Sequence, residues 1–334
     1  MKLLQNSAVL ILLSTFLGAA TSANDTMATL GAGGLIPLKS SEIVLESEDL
    51  EISIHQIKVR YRFHNTSDRD IDGTVAFPLP ALDGGTLENE PLDLPSKDSL
   101  NFVSFHVQID GQPVSTEVEV RAFKDGKDIT SHLESLGLPV SLMAARRKEA
   151  ISKLAEAQRM QLEREGLLVA DEIRKPGSHQ PEKYWWPWWE MRVQYYWTQH
   201  FPAKGTIEVL HTYSPVVGGS YIVKNDSGEL SIKPYCGNSA TLQRIQEAKS
   251  RHLDKKDSDI VLLEKRVKYI LTTANNWRGP IVDFHLVIDT EGPDDIFVAC
   301  VPGLKRISPT RYEYRQANFR PDRELDLLIL QASK

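Results

Sequence analysis

The chain is poor in cysteine: it has two in 334 residues, Cys236 and Cys300. This scarcity excludes a small fold held together by several disulfides. It also argues against a structural zinc site, because no second pair of cysteine or histidine residues stands at the spacing of zinc ligands. No cysteine lies near the end of the N-terminal apolar segment. A bacterial lipid anchor on a cysteine is therefore excluded.

Long apolar runs and an excess of positive charge are also missing. Beyond the N-terminal segment, no run approaches the ~20 apolar residues that a membrane-spanning helix requires. The formal net charge is -6 at pH 7, which argues against a nucleic-acid partner because such proteins present a basic face. Hydrophobic residues make up 41% and charged residues 25% of the chain. These are ordinary globular proportions, and extensive disorder is not expected.

Sequence motifs for common enzyme chemistry are absent as well. The chain has no Gly-x-Ser-x-Gly elbow, no phosphate-binding glycine loop and no His-Glu-x-x-His zinc motif. Asp68, Asp70, Asp72 and Gly73 match the start of a calcium loop, but its last position requires a glutamate and is Leu79 here. These aspartates are therefore interpreted as turn residues. We expect neither a metal nor another cofactor.

The N-terminal segment is typical of a secretory signal peptide. Lys2 is followed by an apolar run over residues 8–20, and small residues surround Ala23. We therefore expect residues 1–23 to be removed, a mature chain that begins near Asn24, and a periplasmic location. An uncleaved N-terminal anchor is the alternative.

An exported chain meets oxidising conditions, under which its two cysteines can form a disulfide. A disulfide between Cys236 and Cys300 is the favoured prediction. The alternative is a pair of buried free thiols.

Alternating apolar and polar residues predict β-strands through most of the chain. Residues 59–64 alternate with a period of two, a turn-rich stretch follows, and residues 71–77 form a second strand ending in Phe-Pro-Leu-Pro. We predict that these two strands form a hairpin. His200 and His211 flank another predicted hairpin, and a structural role is favoured for both over a metal site.

The predicted fold class is mainly β, with two antiparallel β-sandwich-like units and a helical insertion. The N-terminal unit covers residues 24–220 and contains a helical and tryptophan-rich insertion at about residues 126–190. A long helix capped by Ser141 is predicted within it. Short strands at regular spacing indicate a C-terminal β unit over residues 221–334.

The tryptophan-rich stretch YWWPWWEMRVQYYW, residues 184–197, holds five of the six tryptophans. Trp185, Trp186, Trp188 and Trp189 are the candidate ligand-binding residues, because an indole can stack on a sugar ring or lie at a lipid surface. The alternative is that these indoles pack between the sandwich and the insertion.

Several blocks of the chain resemble a bacterial exported family known as domain-of-unknown-function family 4424. The blocks are GAGGLIPLKSSEIVLESEDLEIS, VRYRFHNTSDRDIDGTVAFPLP, YYWTQHFPAKGTIEVLHTYSPVVGGSY, NNWRGPI and SPTRYEYRQANFRPDRELDLLIL. The resemblance covers nearly all of the predicted mature chain. It implies export and supplies no catalytic residues.

The chain also resembles, more distantly, the vault/inter-alpha-trypsin domain. The shared features are a strand pair that ends in Phe-Pro-Leu-Pro, a strand that ends at Asp110-Gly111, and a Phe201-Pro202 turn before a strand that ends at Tyr213. Those domains are β-sandwiches used in interactions. The insertion is a departure from their pattern.

Together these observations favour a non-enzymatic module for binding or assembly in the cell envelope, with an envelope protein or a glycan as partner. The alternative is a hydrolase of an envelope polymer, with a carboxylate pair that only the fold brings together. A purely structural scaffold is a third interpretation. The sequence indicates no oligomeric state.

Overall fold

A computed structural model describes residues 24–31, 34–90, 92–93, 96, 100–144, 146–173, 181–252 and 259–333 of the protein. The predicted signal peptide, residues 1–23, lies outside the described residues. The described part is mainly β, as predicted.

The strands, in chain order, are β1 (Thr26–Gly31), β2 (Gly34–Leu38), β3 (Ile43–Ile52), β4 (Ile57–Asn65), β5 (Ile71–Pro78), β6 (Leu82–Asp83), β7 (Leu92–Asp93), β8 (His106–Ile109), β9 (Gln112–Val114), β10 (Glu117–Lys124), β11 (Lys127–Asp128), β12 (Leu168–Ile173), β13 (Glu182–Pro187), β14 (Glu190–Phe201), β15 (Thr206–Tyr213), β16 (Val217–Val223), β17 (Ile260–Tyr269), β18 (Ile281–Asp289), β19 (Ile296–Ala299), β20 (Lys305–Arg306), β21 (Arg311–Phe319) and β22 (Leu325–Ala332). The α-helices are α1 (Gly84–Asn89), α2 (Thr130–Ser135), α3 (Arg147–Lys153), α4 (Glu156–Arg164), α5 (Glu229–Ile232) and α6 (Ser239–His252). Two 3₁₀ helices cover Lys233–Tyr235 and Thr272–Asn276.

Three large sheets contain nearly all of these strands. Sheet 1 has the order β11-β10-β14-β5-β1-β2, with β6 also paired to β14. Sheet 2 has the order β20-β21-β18-β3-β4-β15-β8-β9, and sheet 3 the order β19-β22-β17-β16-β7. The strands β12 and β13 form a separate pair. Pairing among the described strands is antiparallel except between β3 and β18.

The main hydrophobic core lies between sheets 1 and 2. Alternate residues of β4 point into it, and the buried ones are Ile57, Val59, Tyr61 and Phe63. The inward residues of β14 alternate in the same way, so this part of the predicted pattern is confirmed. Each large side chain buried here contributes about 1.5–3 kcal/mol to folding. A smaller core between sheet 3 and α6 contains Ile222, Ile245 and Leu328.

The predicted hairpin between β4 and β5 is wrong, although both strands exist. β4 pairs with β3 and β15 in sheet 2, whereas β5 pairs with β14 and β1 in sheet 1. The turn between them therefore crosses from one sheet to the other. A second crossing joins β14 to β15, and the two turns bond to each other: the Asn65 amide donates to Gly205 O at 3.0 Å, and the Lys204 amide to Ser67 O at 3.0 Å.

The predicted long helix after Ser141 is two short helices, α3 and α4, with an extended break at Leu154 and Ala155. Side chains satisfy the backbone at this break. Gln158 Oε1 accepts from the Ala155 amide at 2.9 Å, and the Arg159 guanidinium donates to Ser152 O at 2.8 Å. No helix among the described residues has the length and apolarity to cross a membrane.

Strand pairing runs across residue 220, where the sequence divides the chain into two units. In sheet 2, β18 lies beside β3, and the main core contains residues from both sides, such as Tyr61 and Tyr269. The predicted insertion at about 126–190 contains α2, α3, α4 and the β12–β13 pair. The division into units over residues 24–220 and 221–334 stays a prediction.

Candidate functional site

A cleft of about 230 Å³ opens beside the end of β5, between α1 and strands β16 and β17. Its lining is mainly apolar, with a few charged groups at the rim. The lining residues are Leu79, Pro80, Ala81, Leu82, Asp83, Thr86, Glu90, Phe102, Val103, Tyr213, Pro215, Val216, Gly218, Tyr235, Arg266 and Lys268.

The Phe-Pro-Leu-Pro sequence at the end of β5 supplies Leu79 and Pro80 to the lining of the cleft. Proline donates no ladder hydrogen bond, so the strand ends and the chain leaves the sheet. The amide of Leu79 still donates to Val193 O at 2.9 Å, which fixes the buried Leu79 side chain beside the opening. The Ser214 amide donates to Val103 O at 2.9 Å and holds Val103, which also lines the cleft, beside the end of β15.

Arg266 and Lys268 give the rim of the cleft its positive charge. They alternate along β17 and therefore project from the same face of sheet 3. The Arg266 guanidinium donates to Glu90 Oε2 at 2.8 Å and to Gly219 O at 3.0 Å, so its position is fixed. Lys268 is exposed and forms no ion pair among the described residues. Its ammonium is the group available to a negatively charged ligand.

The other polar groups of the lining are already engaged or uncharged. The carboxylate of Asp83 accepts from the Thr86 amide at 3.0 Å and caps α1. Burial raises the pKa of Tyr235, so its phenol stays neutral at pH 7 and keeps its proton as a hydrogen-bond donor. The described residues contain no group of three or more acidic, histidine or cysteine side chains placed to hold a metal ion. The arrangement suits binding of a small amphipathic anion.

The structure does not bring the four predicted ligand-binding tryptophans together on an exposed face. Trp186 is 8% and Trp189 is 1% exposed. The indole of Trp189 donates to Val140 O at 3.2 Å and so anchors the segment before α3 to the sandwich. A ligand role for these tryptophans stays a prediction.

Trp185 and Trp188 are only partly buried, and both pack against the insertion or α1. The ring of Trp185 lies between Arg159 and Lys183, whose charged groups are 4.7 and 5.0 Å from its centroid. The ring of Trp188 covers Gly85, where an added Cβ would lie 2.4 Å from the indole. Glycine at position 85 therefore permits a close approach of α1 to this ring.

Tryptophan fluorescence should report a buried environment for most of the indoles. We expect blue-shifted emission from the folded protein and weak quenching by acrylamide, because Trp186, Trp189, Trp197 and Trp277 are buried. Replacing the partly exposed Trp188 by Phe should lower the quenchable fraction further. Red-shifted emission that acrylamide quenches as readily as in the unfolded chain would contradict this burial.

The predicted disulfide is confirmed. Cys236 and Cys300 are bonded, with their Cα atoms 5.2 Å apart. The bond links the segment after the 3₁₀ helix Lys233–Tyr235 to the end of β19, at the edge of sheet 3.

A buried polar cluster lies in the main core, and sequence reasoning missed most of it. Asp25, Glu48 and His211 have no exposed surface. His211 occupies an inward position of the alternating strand β15, so its burial has a sequence signal. Glu48 has none: a β-bulge between Leu45 and Ser47 shifts the alternation of β3 by one residue and turns this side chain inward. Its acidic neighbours Asp49 and Glu51 are exposed.

Burial determines the charge of each group in this cluster. It raises the pKa of Asp25, to which the nearby charge of Glu48 adds, and it raises the pKa of Glu48 to about 8. It lowers the pKa of His211 to about 3. His211 Nε2 lies 3.6 Å from Asp25 Oδ2, too far for a strong hydrogen bond. Without a further partner, Glu48 is therefore mostly protonated and His211 neutral at pH 7, and burial disfavours the charged form of Asp25 as well.

The predicted hairpin that His200 and His211 flank does not form, because β14 pairs in sheet 1 and β15 in sheet 2. His200 lies on the exposed side of sheet 1, where its Nδ1 is 2.7 Å from Asp72 Oδ1. His211 lies in sheet 2 and contacts the rings of Tyr61 and Phe77. These surroundings suit the structural role that the sequence analysis favours for both histidines.

The fold and its cleft define a β-rich protein that can hold a small ligand between its sheets. The chain belongs to the family described as Domain of unknown function (DUF4424), whose model matches residues 23–328. A search of curated proteins gives no match. One solved structure, a suggested nutrient-binding protein from Legionella pneumophila, aligns at 14% identity with a TM-score of 0.46, over 92% of this chain and 70% of that one.

Proposed function

We propose that the protein is an exported, non-enzymatic binding module of the cell envelope, and that its cleft holds a small molecule with an apolar body and a negative group. The observation that supports this most directly is the composition of the cleft. Its lining combines apolar residues such as Leu82, Phe102 and Val216 with the basic residues Arg266 and Lys268. Clefts that are mostly apolar, with a few fixed polar groups, are the usual sites for small ligands.

The proposed export has two independent supports. The first is the sequence of residues 1–23, with its charge, apolar run and small residues in the order of a signal peptide. The second is the disulfide between Cys236 and Cys300, since such bonds persist in oxidising compartments. The likeness to the vault/inter-alpha-trypsin domain, and with it a role in protein assembly, stays a prediction.

We do not adopt the hydrolase alternative. It requires two carboxyl groups in an accessible cleft, one of them with a raised pKa. Asp25 and Glu48 have raised pKa values and lie in one cluster, but both are sealed from solvent. A polymer substrate has no route to them in this conformation.

Titration with octanoate tests the proposed ligand class, because octanoate has an apolar chain and one carboxylate. We expect saturable binding by calorimetry, and clearly weaker binding of octyltrimethylammonium, which has the same chain and the opposite charge. Lys268→Glu should weaken octanoate binding about 5-fold or more, the effect of losing a partly exposed charge pair of about 1 kcal/mol.

Lys265→Glu is the matched control. Lys265 lies three residues earlier on β17 and so faces the other side of sheet 3. It should change the net charge equally and leave octanoate affinity unchanged. Equal losses in both variants, or equal binding of the two octyl probes, would show that the cleft does not select a negative group.

A further inference from the structure

Residues 24–26 lie inside the protein, not at its surface. Asn24, Asp25 and Thr26 have no exposed area. The backbone nitrogen of Asn24 donates to the hydroxyl oxygen of Thr273, which is itself buried. The indole of Trp277 donates to Asp25 O at 2.6 Å. The segment is thus fixed to the 3₁₀ helix Thr272–Asn276 and to the residue that follows it.

Two carboxyl groups share this buried place without a cation. Glu48 Oε2 accepts from Asn24 Nδ2 at 2.9 Å, and the Tyr269 hydroxyl lies 3.5 Å from Glu48 Oε1. Both carboxyl oxygens of Asp25 have no hydrogen-bond partner in the described part of the chain. No lysine or arginine there pairs with either acid, and burial keeps His211 neutral. Burying a carboxylate without a counter-ion is costly. One positive charge would therefore stabilise an ionised carboxylate in this cluster.

The α-nitrogen of Asn24 is the atom placed to carry that charge. Four covalent bonds of about 1.5 Å each separate it from the side-chain nitrogen that contacts Glu48. It therefore lies no more than about 9 Å from Glu48 Oε2, in the same buried region. Asn24 is also the first residue after the predicted cleavage point at Ala23.

We propose that removal of residues 1–23 turns the Asn24 nitrogen into a buried ammonium that is the counter-ion of Glu48. A signal-peptide endopeptidase adds water across the Ala23–Asn24 amide. The carbonyl carbon of Ala23 keeps the hydroxyl oxygen and leaves as a carboxylate. The Asn24 nitrogen keeps its one amide proton and gains both protons of the water, and a free α-amino group has a pKa near 8, so it is mostly charged at pH 7.

Glu48 is the better partner than Asp25 for this single charge. The carboxylate of Glu48 already accepts from the amide of Asn24 and lies near the hydroxyl of Tyr269, and both groups favour its ionised form. Asp25 lacks donors among the described residues and keeps its proton. One ammonium and one carboxylate leave the core neutral. Cleavage therefore supplies the positive charge that pairs with Glu48, and the chain that begins at Asn24 is more stable than one extended before Asn24.

The experiment begins with protein exported through its own leader, whose first residue is identified by intact mass; we expect Asn24. Two further preparations, released from a cleavable fusion, begin at Asn24 or carry one glycine before it. The added glycine should lower Tm by about 5 °C or more. In a Glu48→Gln background the same glycine should lower Tm by less than half as much, since the charge partner is gone.

Reaction of the α-amino group with acetic anhydride, followed by mass spectrometry, is the second measurement. On protein that begins at Asn24, we expect this group to react at least about 10-fold more slowly in the folded than in the unfolded state. If the glycine variant does not fold, this reaction rate tests the proposal by itself. The proposal is overturned by an unprotected amine, by an equal glycine effect with Glu48→Gln, or by a different first residue. None of these results depends on the ligand cleft.

Discussion

Replacing both Cys236 and Cys300 by serine should lower the free energy of unfolding by about 4 kcal/mol. The disulfide joins residues separated by 64 positions. In the chain-entropy model, closing a loop of this length restricts the unfolded chain by about that amount. Cys236 has a left-handed backbone with φ of 63°, and serine bears the same strain there. The substitution therefore isolates the loss of the bond.

The smaller core should respond most to this change. Tyr235 lies beside Cys236, and Val298 lies on β19, two residues before Cys300; both belong to that core. Loss of the bond frees the edge strand of sheet 3, so hydrogen exchange should increase first in β19 and α6.

Urea unfolding at pH 7 measures the effect, and a reducing agent provides the control. Reduced wild-type protein should match the double serine variant, and the agent should leave that variant unchanged. A variant within about 1 kcal/mol of the oxidised wild type would show that the bond contributes little to stability.

The second large effect concerns acid: protonation of His211 should destabilise the fold by on the order of 4 kcal/mol between pH 6.5 and pH 3. An unfolded histidine has a pKa near 6.5, and burial lowers the pKa of His211 to about 3 in the fold. As the pH falls, the histidine is therefore protonated at a higher pH in the unfolded chain than in the folded one. The contribution of His211 is fully present above pH 6.5 and is lost as the pH falls toward 3.

His211→Phe should flatten this acid dependence. The imidazole contacts Tyr61, Phe77, Phe105 and Trp197, with ring centroids 5.0–5.4 Å apart. Its two nitrogens have no hydrogen-bond partner within the described residues. A benzene ring therefore fits these neighbours and removes two buried polar atoms. At pH 7 the variant should unfold within about 1 kcal/mol of wild type.

The difference between the two unfolding curves across pH isolates this histidine. The raised pKa of Asp25 acts in the opposite direction, favouring the fold at low pH, but it is present in both proteins. His200→Phe is the control, because the hydrogen bond with Asp72 raises the pKa of His200 and its protonation favours the fold. That variant should keep the acid loss. An unchanged slope in His211→Phe would contradict a neutral buried imidazole.

The sequence alone accounts for the elements that depend on neighbours along the chain. Period-two alternation predicts β4, β14 and β15, because each of these strands has one face in the core and one toward solvent. The proline-rich end of β5 was evident for the same local reason. The cysteine pair was also accessible, since only two cysteines are present and a single bond can join them.

The sequence does not predict which way a side chain points where a strand is irregular. The bulge in β3 turns Glu48 inward, and without it Glu48 would lie on the face opposite to Ile43 and Leu45. The cleft joins residues as distant as Leu79 and Arg266, which no spacing rule relates. The tryptophans had two open interpretations, and only packing against Val140 and Gly85 shows where the indoles lie.

By itself, the sequence determined a mainly β chain, the positions of its principal strands and the partners of its disulfide, because each follows from local pattern or from count. The tertiary structure decided which strands pair. Two neighbouring turns, at residues 66–70 and 202–205, both cross between sheets 1 and 2 instead of closing hairpins. A strand's own sequence states which face is apolar but not which strand lies beside it. Pairing follows from burying the apolar faces of both sheets against each other.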